Sequence, residues 1–135
     1  MIISGHEASS QKKIIEKWPD EDVILETDGL LLSRILGNMV INALEATKKG
    51  GSIRINVTKA QGEIFWEVWN KTCIPDPIKK RIFQCHFSSK SGDGRGLGTY
   101  SMKLFSETYL KGKISFHSTF DQGTSFFFCL PYHAM

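Results

Sequence analysis

Within a helix predicted from about Gly29 to Lys48, the stretch Arg34 to Ala46 is apolar almost all the way round, yet Asn38, Asn42 and Glu45 recur at i, i+4 and i+7 on one face. Lys49 extends the same stripe by one turn. Polar amides and carboxylates on a buried helix face need partners. The stripe therefore reads either as a ligand wall or as the solvent side of an amphipathic helix. Asp28 stands where an N-cap belongs, and Gly50-Gly51 supplies the stop. Ser52 to Thr58 alternates, with Ile53, Ile55 and Val57 on one side. Ala60-Gln61-Gly62 then turns the chain into a second strand, Glu63 to Trp69, which predicts an antiparallel hairpin. Upstream, Val23 to Thr27 reads as a strand. Residues 1–22 are polar and poorly patterned, with at most a short helix around Gln11 to Lys17 that Pro19 ends.

Beyond the hairpin, Asp76-Pro77 reads as the N-cap and first turn of a short helix through Phe83. Gly92, Gly94, Gly96 and Gly98 follow at every second position, a run that suits neither a strand nor a helix interior. Helical patterning resumes from Leu97 to Leu110. Lys113 to Thr119 and Thr124 to Leu130 are strands separated by Asp121-Gln122-Gly123 and closed by Pro131. The last strand, TSFFFCL, is apolar on both faces, which predicts an interior place in the sheet. This order predicts an α+β fold, a two-layer α/β sandwich whose mixed, mostly antiparallel sheet is covered on one face by helices. The chain divides into a polar segment, 1–22, and one domain, 23–135.

Composition narrows this little. With 135 residues, 41% of them hydrophobic, the chain can bury one core. A net charge of +3 argues neither for nor against a nucleic-acid partner. Cys73, Cys85 and Cys129 are odd in number and lack metal-ligand spacing, which fits a reduced, cytosolic setting. No apolar run has the length of a membrane span, and the N-terminus is not a signal peptide.

The candidate chemistry lies in the glycine run. Gly94-Arg95-Gly96-Leu97-Gly98, directly before a helix starting near Thr99, leaves backbone N–H groups to face an anion, and Arg95 and Lys90 can add charge-assisted bonds. A flexible glycine linker gives a similar string. No G-K-S/T follows, so it is not a Walker A loop, and no strand precedes it closely enough for a dinucleotide fold. Paired glycosidase carboxylates, H-E-x-x-H, C-x-x-C and a nucleophile elbow are all missing. His6, His86, His117 and His133 are scattered.

Four motifs in order give the sequence its resemblance. Asn38-Met39-Val40-Ile41-Asn42-Ala43, Ile82-Phe83 with Phe87-Ser88-Ser89-Lys90, Gly94 to Thr99, and Gly123-Thr124-Ser125-Phe126 resemble the motifs of the catalytic, ATP-binding domain of sensor histidine kinases. That domain belongs to the wider superfamily that includes DNA gyrase. The resemblance covers most of the chain from Asp28 to Pro131 and implies a Bergerat-type ATP-binding fold with ATP and Mg²⁺ as cofactors. It implies that Asn42 ligands the Mg²⁺ and that Asn38, the other catalytic candidate, lines the same wall. Glu45, Asn70, Lys90, Gly94, Arg95, Gly96, Leu97, Gly98, Thr99 and Thr124 complete the implied ATP site, with the glycines closing on the phosphates and Thr124 beneath the adenine. The implied partners are a dimerisation domain of the parent kinase, carrying the acceptor histidine, and a downstream response regulator. No nucleic acid is implied, and a membrane enters only through other parts of the parent protein, which places the domain in the cytoplasm.

Two departures stand out. Where the family has D-x-G-x-G, this chain reads Asn70-Lys71-Thr72-Cys73-Ile74-Pro75: the adenine-binding acid is Asn70, both glycines are absent and the loop is one residue shorter. A neutral acceptor makes a weaker bond to the adenine amino group, and Lys71, Thr72 and Cys73 are expected to crowd a backbone built for glycine. The helical domain with the acceptor histidine is also absent; His6-Glu7 mimics its signature only over two residues. The reading is thus a catalytic domain cut from a longer kinase. A free-standing serine kinase of the anti-sigma-factor type and a degenerate nucleotide-binding regulatory module are the alternatives.

Overall fold

The computed structural model describes residues 11–20, 25–83 and 99–131. Five strands form one sheet: β1 (Lys13–Lys17), β2 (Ser52–Ala60), β3 (Glu63–Asn70), β4 (Lys113–Thr119) and β5 (Gly123–Pro131). Their order is β1-β2-β3-β5-β4. β1 runs parallel to β2 and every other pairing is antiparallel. The helices are α1 (Gly29–Glu45), α2 (Asp76–Lys79) and α3 (Thr99–Leu104), the last widening into a π-helical turn over Phe105–Tyr109. This is the mixed sheet with helices on one face that the element order predicts.

α1 begins where the sequence says it should. Asp28 is extended at φ −73° and its side chain accepts the Leu31 N–H at 3.0 Å, meeting one donor that the first turn leaves open. Asp28→Ala should cost about 1 kcal/mol, read as a lower urea midpoint at unchanged slope.

The end of α1 comes earlier than expected, at Glu45 rather than near Lys48. Ala46 N–H still reaches the Asn42 carbonyl, but the Thr47 hydroxyl donates to the Ala43 carbonyl at 2.7 Å and competes for the last turn. Lys49 therefore lies beyond the helix and does not extend its polar stripe.

The expected helix around Gln11 to Lys17 is instead strand β1. The reason is non-local: Lys13 to Lys17 pair with Ser52 to Asn56, so the sheet completes a ladder that local patterning cannot reveal. Lys12 Nζ also donates to the Leu44 carbonyl at 2.7 Å, placing a cation on the C-terminal end of α1. The expected strand at 23–27 does not form over Leu25 to Thr27, while Val23 and Ile24 lie outside the described residues. Asp76 is the first residue of α2 rather than its cap. Pro75 takes the cap position and its carbonyl accepts the Ile78 N–H at 2.9 Å. The helix stops at Lys79, with turns rather than helix up to Phe83.

The β2–β3 turn has Gln61 and Gly62 both left-handed, at φ 54° and 79°, the twist that a tight two-residue hairpin requires. The core lies between α1 and the sheet. Ile35, Met39, Val40, Ala43 and Leu44 face Ile53, Ile55 and Val57 of β2, Trp66 and Val68 of β3 and Phe126 and Phe128 of β5. Trp66 stacks on Phe128 with ring centroids 5.5 Å apart. β5 lies between β3 and β4, as its two-faced apolar pattern predicts. No described helix is long and apolar enough to cross a membrane.

Candidate functional site

Three chain segments converge beside α1. β3 ends at Asn70, β5 starts at Gly123, and the 71–75 loop leaves between them. Asn70 and Thr124 face each other in the β3–β5 register. Both are buried, Asn70 at 4% and Thr124 at 2% exposure, because the loop folds over them.

Hydrogen bonds account for the loop. The Asn70 carboxamide oxygen accepts the Thr72 N–H at 2.9 Å, a local turn that Asn side chains form readily. An amide N–H must meet an oxygen, so this contact fixes which end of the Asn70 carboxamide faces the loop. The Thr124 hydroxyl donates to the Thr72 carbonyl at 2.6 Å. Its one proton is then spent, so the 2.7 Å contact with Ser118 has the Ser118 hydroxyl as donor. Ser118 in turn accepts the Ile74 N–H at 2.8 Å. The Thr72 hydroxyl reaches across to the Ala46 carbonyl at 2.7 Å, just past the end of α1.

This revises the expected crowding. Among the described residues other than glycine, left-handed backbone occurs only at Gln11, Gln61 and Lys111. The Asn70-to-Pro75 loop thus needs no glycine conformation, and hydrogen bonding by Asn70 and Thr72 does the shaping. A glycine is required at Gly123 instead, where φ is +80° and an added Cβ would lie 2.3 Å from the Asn70 carbonyl oxygen.

α1 carries the amide stripe. Asn38 is buried and its amide nitrogen donates to the Arg34 carbonyl at 2.7 Å; Asn42, one turn on, and Glu45 are half-buried. Thr99 opens α3, and its hydroxyl donates to the Ile82 carbonyl, so the chain leaves at Phe83 and returns at Thr99 to nearly the same place. Phe83 packs edge-on against Phe116 and Phe126. The expected Lys90, Gly94, Arg95, Gly96, Leu97 and Gly98, with Phe87 to Ser89, lie outside the described residues.

The structure thus unites Asn70 and Thr124 directly and ties them, through Thr72, to the end of the helix that bears Asn38, Asn42 and Glu45. Two residues of this network, Thr72 and Ser118, are not among the expected site residues. Ser118 carries a visible signal, being a polar residue on the inward-facing phase of strand Lys113 to Thr119. Thr72 is singled out by the sequence only as a residue expected to crowd the loop.

Among the described residues no group of three His, Cys, Asp or Glu side chains could hold a metal ion. Burial, reinforced by the neighbouring Glu63, pushes the Cys129 thiol up, which keeps it protonated and a poor nucleophile.

Residues 27–134 match the family described as histidine kinase-, DNA gyrase B-, and HSP90-like ATPase. The chain belongs to this ATPase family. The adaptive-response sensory kinase SasA of Rippkaea orientalis is 27% identical over 126 residues, covering 87% of this chain and 31% of that protein. The sensor histidine kinase Hik2 of Thermosynechococcus vestitus is 27% identical, covering 97% of this chain and 36% of its own length. The chain therefore spans about a third of these curated relatives. Among solved structures, the catalytic domain of the histidine kinase ThkA superposes with a TM-score of 0.79 at 30% identity, over 90% of this chain and 80% of that one. A further ThkA structure, in complex with the response regulator protein TrrA, gives a TM-score of 0.75 at 28% identity and covers 90% of this chain and 34% of that one. The ATPase fold of these kinases is the fold described above.

Proposed function

We propose that this domain binds Mg²⁺-ATP and delivers the γ-phosphate to a histidine on a separate dimerisation domain of a longer sensor kinase. The observation that carries the reading is the buried Asn70–Thr124 pair at the foot of β3 and β5, tied to the helix that presents Asn38 and Asn42. That pair supplies polar groups for a purine base, and the helix supplies amides for the phosphate end. Asn42 would hold Mg²⁺ through its carboxamide oxygen. The donor fits, since Mg²⁺ prefers hard oxygen ligands and takes most of them from phosphates and water. When bound, the ion neutralises triphosphate charge.

The chain's own part is positioning. In the transfer the bond from the γ-phosphorus to the ADP oxygen breaks as an imidazole nitrogen lone pair forms the new P–N bond, and the protein needs no covalent intermediate. Asn38 occupies a position where hydrolytic relatives resembling gyrase carry a water-activating glutamate, which favours phosphotransfer over hydrolysis. A response regulator is the proposed downstream partner, and the domain would act on the cytoplasmic side of its parent protein, with no nucleic acid involved.

Purified protein should bind Mg²⁺-ATP by calorimetry, turn it over slowly alone, and phosphorylate a dimerisation domain supplied in trans. Rapid hydrolysis abolished by Glu45→Gln would point to a hydrolase instead.

A further inference from the structure

We propose that Thr72, backed by Ser118, is the positioning residue that sets the base-binding loop against the phosphate-binding helix. The inference rests on the nucleotide reading above and assigns a role to a residue where the resembling kinases carry glycine. Each of the three polar groups of Thr72 is bonded to a different part of the domain. Its N–H goes to the Asn70 side chain at the end of β3, its carbonyl accepts from Thr124 on β5, and its hydroxyl donates to Ala46 just past α1. Thr72 thereby joins the strand that ends in Asn70, the strand that carries Thr124 and the end of the helix that carries Asn42.

Ser118 holds the far side of the same arrangement. It is buried at 5% exposure on β4, accepts the Ile74 N–H and donates to Thr124. The loop is thereby bonded on one side to helix and on the other to sheet. Glycine at position 72 would keep the N–H and carbonyl bonds but lose the hydroxyl bond to Ala46, leaving the loop free to slide relative to α1. Thr72 thus replaces backbone adaptability with a fixed spacing. A base held by Asn70 and a triphosphate held beyond Asn42 can be gripped together only if that spacing is right.

A base-loop position should matter for ATP and not for a ligand lacking the base. The test uses the full chain and compares Mg²⁺-ATP with Mg²⁺-tripolyphosphate, by calorimetry, for wild type, Thr72→Val, Thr72→Ser and Ser118→Ala, with melting temperature measured without ligand. Loss of one neutral hydrogen bond corresponds to roughly five- to tenfold in affinity. Thr72→Val, which keeps the shape and removes the hydroxyl, should weaken ATP by about that factor and leave tripolyphosphate binding unchanged. Thr72→Ser should restore ATP affinity, and Ser118→Ala should reproduce the ATP-selective loss. ATP affinity equal to wild type in Thr72→Val, or a parallel loss of both ligands that Thr72→Ser fails to restore, overturns the positioning role alone. A wild-type protein that binds neither ligand overturns the nucleotide reading and this inference with it.

Discussion

Asn42→Ala should abolish Mg²⁺-dependent ATP binding while leaving the fold almost as stable as before. Asn42 is half-buried on α1, and alanine is the better helix former by roughly half a kcal/mol, which offsets whatever side-chain contact is lost. The expected net change in stability is thus within about 0.5 kcal/mol. Ligand linkage makes the difference easy to see. At a concentration one hundred times its dissociation constant, a ligand adds about 2.7 kcal/mol to the stability of the protein that binds it. Wild-type protein should melt several degrees higher with Mg²⁺-ATP than without, and the variant should show no shift. A variant that is strongly destabilised yet still protected by the nucleotide would make Asn42 a structural residue and remove the metal role from the stripe.

Gly123→Ala should damage both the fold and the site. The position is left-handed, which costs a residue with a Cβ about 1–2 kcal/mol. The added carbon would also meet the Asn70 carbonyl oxygen at 2.3 Å and Lys71 Cα at 2.9 Å, both backbone atoms that cannot swing aside. Overpacking of this kind adds about 1–3 kcal/mol, for a total of about 2–5 kcal/mol. Relief requires β5 to part from β3 at the pair formed by Asn70 and Thr124. The variant should therefore lose stability in chemical denaturation and also bind ATP more weakly at temperatures where it remains folded. Wild-type stability would show that the hairpin start has room to move.

What was legible in the sequence follows the range of the forces involved. α1 and the β2–β3 hairpin are readable because their periodicity, the Asp28 cap and the Gln61-Gly62 turn are all local. β1 is not, because KIIEK becomes a strand through pairing with residues nearly forty positions away. The same distinction applies within the site. The sequence shows that glycines are missing after Asn70. It does not show that the Asn70 carboxamide closes the turn in their place, or that Thr72 reaches back to Ala46. Ser118 lies between these cases: its inward phase is visible in the strand pattern, but its partners Ile74 and Thr124 come from other segments. The glycine-rich stretch from Gly92 to Gly98 is legible by its spacing and lies outside the described residues.

The parallel strand at the sheet's margin has a consequence for how the protein behaves in concentrated solution. Among the described residues no strand pairs with the outer side of β1, and a strand margin of that kind is where chains stack into aggregates. Its sequence works against that. An antiparallel self-pairing centred on Ile15 would set Lys13 of one molecule opposite Lys17 of the next at both ends, and would place Ile14 against Glu16. Like charges directly across a strand pair repel, so the sequence of β1 itself resists pairing with its own copy.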